Sequence, residues 1–165
     1  MHQSSMRIME KMLQKHVDVL AGRVIDVGSA QIGNSETYKK FFDGWEYFGV
    51  DVDQKDNVDV VMTGEYEIPL PDNFADLLIT GQCIEHVRNP FKLMAEAVRC
   101  LKTGGYVICI APNRDSIHRY PIDTFRYHPD GMEAIFDEAG VTKIVCELGD
   151  KSQRIIDCYF VGVKQ

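Results

Sequence analysis

Apolar residues recur along this chain with two different periods. Met6, Met9, Leu13, Val17 and Leu20 fall at three- and four-residue steps, the spacing of one helix face, and predict a helix that ends at Gly22. The pattern then changes. Val24-Ile25-Asp26-Val27 is a short β-branched run closed by Gly28, and such a run reads as a strand buried on both faces. Runs of the same kind follow at 47–50, 58–62, 77–80 and 106–111, with helical patterns between them. Asn34 and Ser35 offer caps for one that carries Tyr38, Phe41 and Phe42 on a single face. Asn89-Pro90, a cap followed by a first-turn proline, opens another that points Phe91, Met94, Ala95, Val98 and Leu101 inward until Gly104 stops it. A third begins at Pro129, aligns Met132, Ile135, Phe136 and Ala139, and has Gly140 just past its end.

Strands alternating with helices predict an α/β fold, Rossmann-like and doubly wound, with helices on both faces of a seven-stranded, mostly parallel sheet. The C-terminus breaks the alternation. The runs 141–148 and 155–163 are joined by Gly149-Asp150-Lys151-Ser152-Gln153, too short for a helical crossover, so one strand there runs antiparallel. Residues 1–165 read as one domain, in which residues 1–22 supply a helix that packs on the core or lids it.

A chain of 165 residues, 45% hydrophobic and 26% charged, suits one globular core and excludes fibrous or disordered classes. A net charge of −7 gives no field for gathering phosphate backbones, so nucleic acid is not an expected partner. No run approaches the roughly 20 apolar residues that span a bilayer, and MHQSSMRIMEKML lacks the apolar region of a signal peptide. A cytoplasmic protein with no membrane partner is expected. The five cysteines lack the close spacing of a zinc knuckle or redox pair and read as structural, Cys83 alone lying near a candidate site.

In an open parallel sheet, ligands bind beyond the carboxyl ends of the strands where the strand order reverses. The first strand runs into Asp26-Val27-Gly28-Ser29-Ala30-Gln31-Ile32-Gly33, a glycine loop in which Ala30 replaces the middle glycine of a dinucleotide fingerprint. The second strand ends in Gly49-Val50-Asp51-Val52-Asp53. A carboxylate at that tip can accept hydrogen bonds from both hydroxyls of a ribose, which makes Asp51 the ribose residue and Asp53 its fallback.

These segments resemble the class I S-adenosylmethionine-dependent methyltransferases, in particular the small type 11 group. The likeness is carried by VIDVGSAQIGNSETYKKFF, YFGVDVDQKDNVDVV, FADLLITGQCIEHVRNP, AEAVRCLKTGGYVICIAPN and HRYPIDTFRYHPDGMEAIFDEAG, which cover most of the chain in the family's order. Thr103 stands where the family's turn has proline, and Gly28-Ser29-Ala30 where Gly-Cys-Gly or Gly-Thr-Gly is common. The resemblance implies S-adenosylmethionine as cofactor and S-adenosylhomocysteine as product. It places Asp26, Gly28 and Ser29 around the methionine part, with Ala30 small enough to leave the cofactor a close approach to the backbone, Asp51 at the ribose, Val52 on the adenine face and Thr80 at the amino-acid end. Glu65 is the nearest candidate for an acid that meets the adenine amine.

Methyl transfer is an in-line displacement for which a protein must align, exclude water and, for a hydroxyl acceptor, remove a proton. Two polar clusters face the same crevice, Gln82 to His86 after the fourth strand and Asn113 to Tyr127 after the fifth. His118 is the preferred general base because imidazole titrates near neutral pH, and His86 is the second candidate. Asp123 and Arg126 either close the loop as an ion pair or, through Arg126, bind an anionic group. Glu85-His86 is similar to a Glu-x-x-Glu-His segment that holds a divalent metal in some quinone-biosynthesis O-methyltransferases. Gln82 replaces its first carboxylate, so no metal is expected.

Tyr120, Phe125 and Tyr127 are candidate substrate-wall residues, whereas Trp45 reads as packing. The expected activity is methylation of a small molecule, a sugar or secondary metabolite, more readily at oxygen than at nitrogen. The pocket would be built from the N-terminal helix, the loop after the fifth strand and, in a homodimer, a second subunit. A nicotinamide-dependent oxidoreductase and a non-catalytic cofactor-binding partner protein are the alternatives.

Overall fold

The computed structural model describes residues 3–18 and 21–165. Its seven strands are β1 (Arg23–Val27), β2 (Glu46–Asp51), β3 (Val60–Val61), β4 (Ala75–Gly81), β5 (Leu101–Arg114), β6 (Val141–Leu148) and β7 (Ile156–Lys164). They form one sheet in the order β3-β2-β1-β4-β5-β7-β6. All neighbours are parallel except β7, which runs antiparallel to both β5 and β6. The order reverses between β1 and β4, so a crevice opens beyond the carboxyl ends of those strands.

Alternation along each strand divides the core in two. Val24, Leu77, Ile79, Ile108, Ile110 and Val161 face one side, where helix α1 (Gln3–His16) lays down Met6, Met9 and Met12. Ile25, Leu78, Val107, Cys109 and Phe160 face the other, against α2 (Pro90–Arg99) and α3 (Pro129–Glu138). A methionine face suits α1 because the flexible thioether side chains fill the uneven surface of a twisted sheet. Asn89 caps α2 as its sequence predicts, accepting a hydrogen bond from the Lys92 amide at 3.1 Å.

Several expected elements differ. The first helix ends at His16 instead of Gly22, and Leu20 lies outside the described residues. The helix expected after Asn34 and Ser35 is only a 3₁₀ turn at Tyr38–Phe41. Tertiary contact overrides the local pattern there: the buried Tyr38 hydroxyl bonds Ser5 of α1, and its ring lies on Gly81 so closely that a Cβ there would overlap it. Helix α2 stops at Arg99, because Leu101 pairs with Ala75 as the start of β5 and Gly104, at φ +80°, absorbs the irregular register that follows. Phe91 and Ala95, expected inward, are exposed, and Leu93 and Ala97 join Met94 and Val98 on the buried face of α2. The 58–62 run pairs only at Val60–Val61, with Val58 and Met62 buried on either side of it.

Candidate active site

The β1 turn is built by two amides and one missing side chain. Gly28 N–H and Ser29 N–H both donate to the Val50 carbonyl, at 2.8 and 3.2 Å, which folds the loop onto the end of β2. Gly28 adopts φ +81°, and a Cβ there would sit 2.5 Å from Cβ and Sγ of Cys83. Glycine is therefore required both by conformation and by space. From the neighbouring strand Asp51 meets the same loop: its carboxylate accepts from Ala30 N–H at 3.1 Å and from Asp53 N–H at 3.3 Å. Val52 is 52% exposed beside it on the crevice wall.

Asp26 is buried at the rear of this end. Its Oδ2 accepts from the Tyr47 hydroxyl at 2.5 Å, and Tyr47 accepts in turn from Asn57 Nδ2 at 3.0 Å. Asn57 also exchanges hydrogen bonds with Ser29, accepting from its Oγ at 3.0 Å and donating to its carbonyl at 2.9 Å. Tyr47 and Asn57 escape the sequence reading because no motif marks them. Thr80 differs from the expectation of a crevice contact. It is buried behind the wall, and its hydroxyl donates to the Val27 carbonyl at 2.8 Å. Glu65 stands on the rim, paired with Arg88 at 3.3 Å.

Burial pushes the Asp26 carboxyl up to about 7, against the opposing Tyr47 hydrogen bond. An acid whose folded value is raised keeps its proton in the native state while the unfolded chain loses it, so stability falls as pH rises from about 4 to about 7. Asp26→Asn removes that cost. The variant is expected to be more stable than the parent by about 1–3 kcal/mol at pH 8, with the difference vanishing near pH 4. Denaturant melts at both pH values check this; an equal gap at both would contradict it.

The other end of the crevice is made by two segments tied together. Ile84–His86 forms a 3₁₀ turn after β4. The loop after β5 crosses it: Thr124 donates twice to the Glu85 carbonyl, and the Tyr127 hydroxyl donates to the Ile84 carbonyl at 2.8 Å. Arg126 grips Asp123 with both terminal nitrogens, and Asp123 also accepts from His118 N–H at 2.7 Å. The guanidinium holds Asp123 well below the usual carboxylate range. Arg126 is therefore engaged with Asp123, the Ser116 carbonyl and the Phe125 carbonyl, as a brace of this loop.

His86 and His118 reach the crevice together, with ring centroids 5.0 Å apart. Beneath them Glu85 is fully buried, and burial pushes its carboxyl up to about 8. Of the proposed wall residues Tyr120 lines the crevice, whereas Tyr127 is a buried strut and Phe125 lies outside the lining. Burial raises the Cys83 thiol far above its usual range, so it stays protonated. No motif marks Asp157 in the sequence; it lies buried in β7 and accepts from Gln82 at 2.9 Å and from Ser4 of α1 at 2.8 Å. A lone acid within the apolar run IIDCYFV is the signal that could have found it.

The two ends belong to one crevice of about 1590 Å³, walled also by Gln3, Ser4, Arg7 and Ile8 of α1. Among the described residues no helix is long and apolar enough to cross a membrane.

A family model described as "Methyltransferase domain" matches residues 25–109, just over half of the chain. An uncharacterized methyltransferase of Schizosaccharomyces pombe is 38% identical over 56 residues, covering 34% of this chain and 20% of that protein. A probable S-adenosylmethionine-dependent methyltransferase of Mycobacterium tuberculosis is 26% identical over 93 residues, covering 53% of this chain and 34% of that one. The chain thus spans about a fifth to a third of the length of these curated relatives. In fold it is similar to the Burkholderia thailandensis 1,6-didemethyltoxoflavin-N1-methyltransferase, solved with 1,6-didemethyltoxoflavin and S-adenosylhomocysteine. That likeness has a TM-score of 0.77 at 14% identity and covers 98% of this chain and 78% of that one. With β7 reversed in an otherwise parallel sheet, a glycine turn at Gly28 and the matched domain running from β1 into β5, the chain belongs to the class I S-adenosylmethionine-dependent methyltransferase family.

Proposed function

We propose that this chain transfers the methyl group of S-adenosylmethionine to a hydroxyl of a small-molecule acceptor, a sugar or secondary metabolite. The observation that carries the reading is the continuity of one crevice from Asp51 to His118. At about 1590 Å³ it exceeds the roughly 300–1,000 Å³ usual for a single ligand, which leaves room for an acceptor beside a cofactor. The Burkholderia enzyme, named as an N1-methyltransferase of 1,6-didemethyltoxoflavin, supports a small acceptor but not specifically oxygen.

In this reading Gly28, Ser29 and Ala30 admit the cofactor to the backbone, Asp51 holds its ribose, Val52 covers the adenine and Glu65 meets the rim. Asp26, held by the Tyr47 hydroxyl, stands behind the methionine part, and Thr80 fixes the β1 end from behind. His118 is the proton acceptor. Its Nδ1 lies 3.0 Å from the Ser116 carbonyl, which can only accept, so the ring proton belongs on Nδ1 and Nε2 offers the lone pair. Asp123 and Arg126 act through His118 as positioning residues by fixing its backbone.

Turnover of labelled S-adenosylmethionine against a panel of hydroxylated acceptors tests the activity. His118→Gln is expected to lower kcat by about 10²–10⁴-fold while the affinity for S-adenosylhomocysteine stays unchanged. Unaltered kcat would remove His118 from the reaction, and His86→Gln would then be the variant to examine. Nucleoside binding with no turnover on any acceptor would favour the non-catalytic alternative.

A further inference from the structure

Three electron-pair donors converge beneath the acceptor end of the crevice. His86 Nδ1 lies 2.6 Å from the Ile122 carbonyl and His118 Nδ1 lies 3.0 Å from the Ser116 carbonyl. Asp115 and Asp123 carboxylates also stand 3.5 and 3.9 Å from His118 Nδ1. Acceptors on that side of each ring place the proton on Nδ1, so in the neutral ring Nε2 carries a lone pair. Both Nε2 atoms face the same oxygen, Glu85 Oε1, at 3.7 and 3.8 Å. Glu85 is fully buried, and among the described residues neither of its carboxylate oxygens has a hydrogen-bond partner. Burying a polar group in that state is costly, and more so if it is charged. Two imidazole lone pairs and a buried carboxylate oxygen aimed at one point make a donor set suited to a cation.

We infer that Glu85, His86 and His118 form a binding site for a divalent transition-metal ion, with Zn²⁺ the best-matched species. Two imidazoles and one carboxylate suit such an ion, whereas Mg²⁺ and Ca²⁺ favour oxygen donors throughout. The donor atoms lie within 4.8 Å of one another. A tetrahedral site with bonds of about 2.0–2.1 Å has edges of about 3.3–3.4 Å. The 3.7 and 3.8 Å edges to Glu85 are a few tenths of an ångström longer than this, and the edge between the two imidazoles lies within 4.8 Å, so the two partly exposed rings must tilt inward to close on an ion. Each ring already donates its other N–H to a carbonyl, the contact that orients metal-ligating histidines. The fourth position faces the crevice, since both rings line it.

The sequence reading expects no metal because Gln82 stands in the place of a carboxylate. In the fold Gln82 turns to Asp157, and the third donor comes instead from His118, on a loop that no local spacing connects to Glu85. An ion here would acidify an acceptor hydroxyl at its open position in place of the imidazole base. That role rests on the methyl-transfer reading above; ion binding does not.

Calorimetric titration of the chelator-stripped full chain with Zn²⁺ tests the site, alongside the visible spectrum of the Co²⁺ form. One ion per chain is expected, with Co²⁺ bands of nitrogen and oxygen ligation and no strong sulfur charge transfer. Loss of a supporting contact costs about 10–100-fold in affinity, so His86→Ala, His118→Ala and Glu85→Gln should each weaken binding by at least about 100-fold, whereas Cys83→Ser should retain it. The two histidine variants decide the matter if Glu85→Gln fails to fold, as circular dichroism would show. Absence of heat would mean that a trapped proton alone occupies the cluster and would overturn the inference. So would sulfur charge-transfer bands, or unchanged affinity in both histidine variants. S-adenosylhomocysteine affinity measured on the same preparation separates the two claims, since nucleoside binding without Zn²⁺ binding defeats only this one.

Discussion

Gly28→Val should unfold the protein about 8–15 °C below the parent and abolish nucleoside binding. A β-branched residue at φ +81° costs about 1–2 kcal/mol from the backbone alone. Its Cβ would also lie 2.5 Å from both Cβ and Sγ of Cys83, and forcing such overlap into a packed site adds about 1–3 kcal/mol. Cys83 has little freedom to retreat. It begins the turn that carries Glu85 and His86, so its displacement would be passed to the acceptor end of the crevice. Gly33→Ala is the matched comparison. Its φ is +56°, but no atom of the described residues lies within 4 Å of the added Cβ, so only the backbone cost of about 1 kcal/mol applies. Thermal melts of both variants check the contrast, and equal losses would show that conformation, not the Cys83 contact, sets the requirement at Gly28.

Asp51→Ala should weaken S-adenosylhomocysteine binding by about 30–100-fold, because two hydroxyls that hydrogen-bond a carboxylate together contribute about 2–3 kcal/mol. The carboxylate is already oriented by the Ala30 and Asp53 amides, so it is presented to a ligand without further ordering. Its removal leaves those amides at the open crevice, where water can reach them, so the fold should lose little. Asp53→Ala is the internal control: that side chain is exposed and pairs with Lys55 at 3.3 Å, and its loss should change affinity less than about threefold. A larger effect at Asp53 than at Asp51 would move the ribose contact to the fallback residue.

What the sequence makes legible here are features whose cause is local. Val24 to Val27 and Tyr106 to Ala111 announce strands because β-branched and apolar residues crowd into runs too short for helices. Asp51 stands out because a strand end fixes where its side chain emerges. The reversed β7 follows from a connection too short to cross the sheet. Features set by distant chain segments are not legible in this way. The spacing puts Tyr38 on a helix face, yet its position is fixed by Ser5 and Gly81. Tyr127 looks like a loop aromatic available to substrate until the Ile84 carbonyl captures its hydroxyl. The Asn57–Tyr47–Asp26 chain and the pairing of Gln82 with Asp157 join residues from separate strands and loops. Glu85 is the clearest instance. Its identity was visible beside His86, but its complete burial depends on the loop that brings His118 over it.

The acceptor end and the cofactor end make separable demands. Asp123 and Arg126 brace the loop that carries His118, whereas the Gly28 turn and Asp51 are held by β1 and β2. Changes in the loop should therefore alter turnover before they alter nucleoside affinity. Changes at Gly28 or Asp51 should do the reverse.

Isothermal titration of the purified chain with S-adenosylhomocysteine tests the cofactor assignment most directly. One site per chain, with affinity lost in step with Asp51→Ala and preserved in Asp53→Ala, is the predicted result. Absence of heat from both S-adenosylhomocysteine and S-adenosylmethionine with folded protein, or binding indifferent to Asp51, would contradict it.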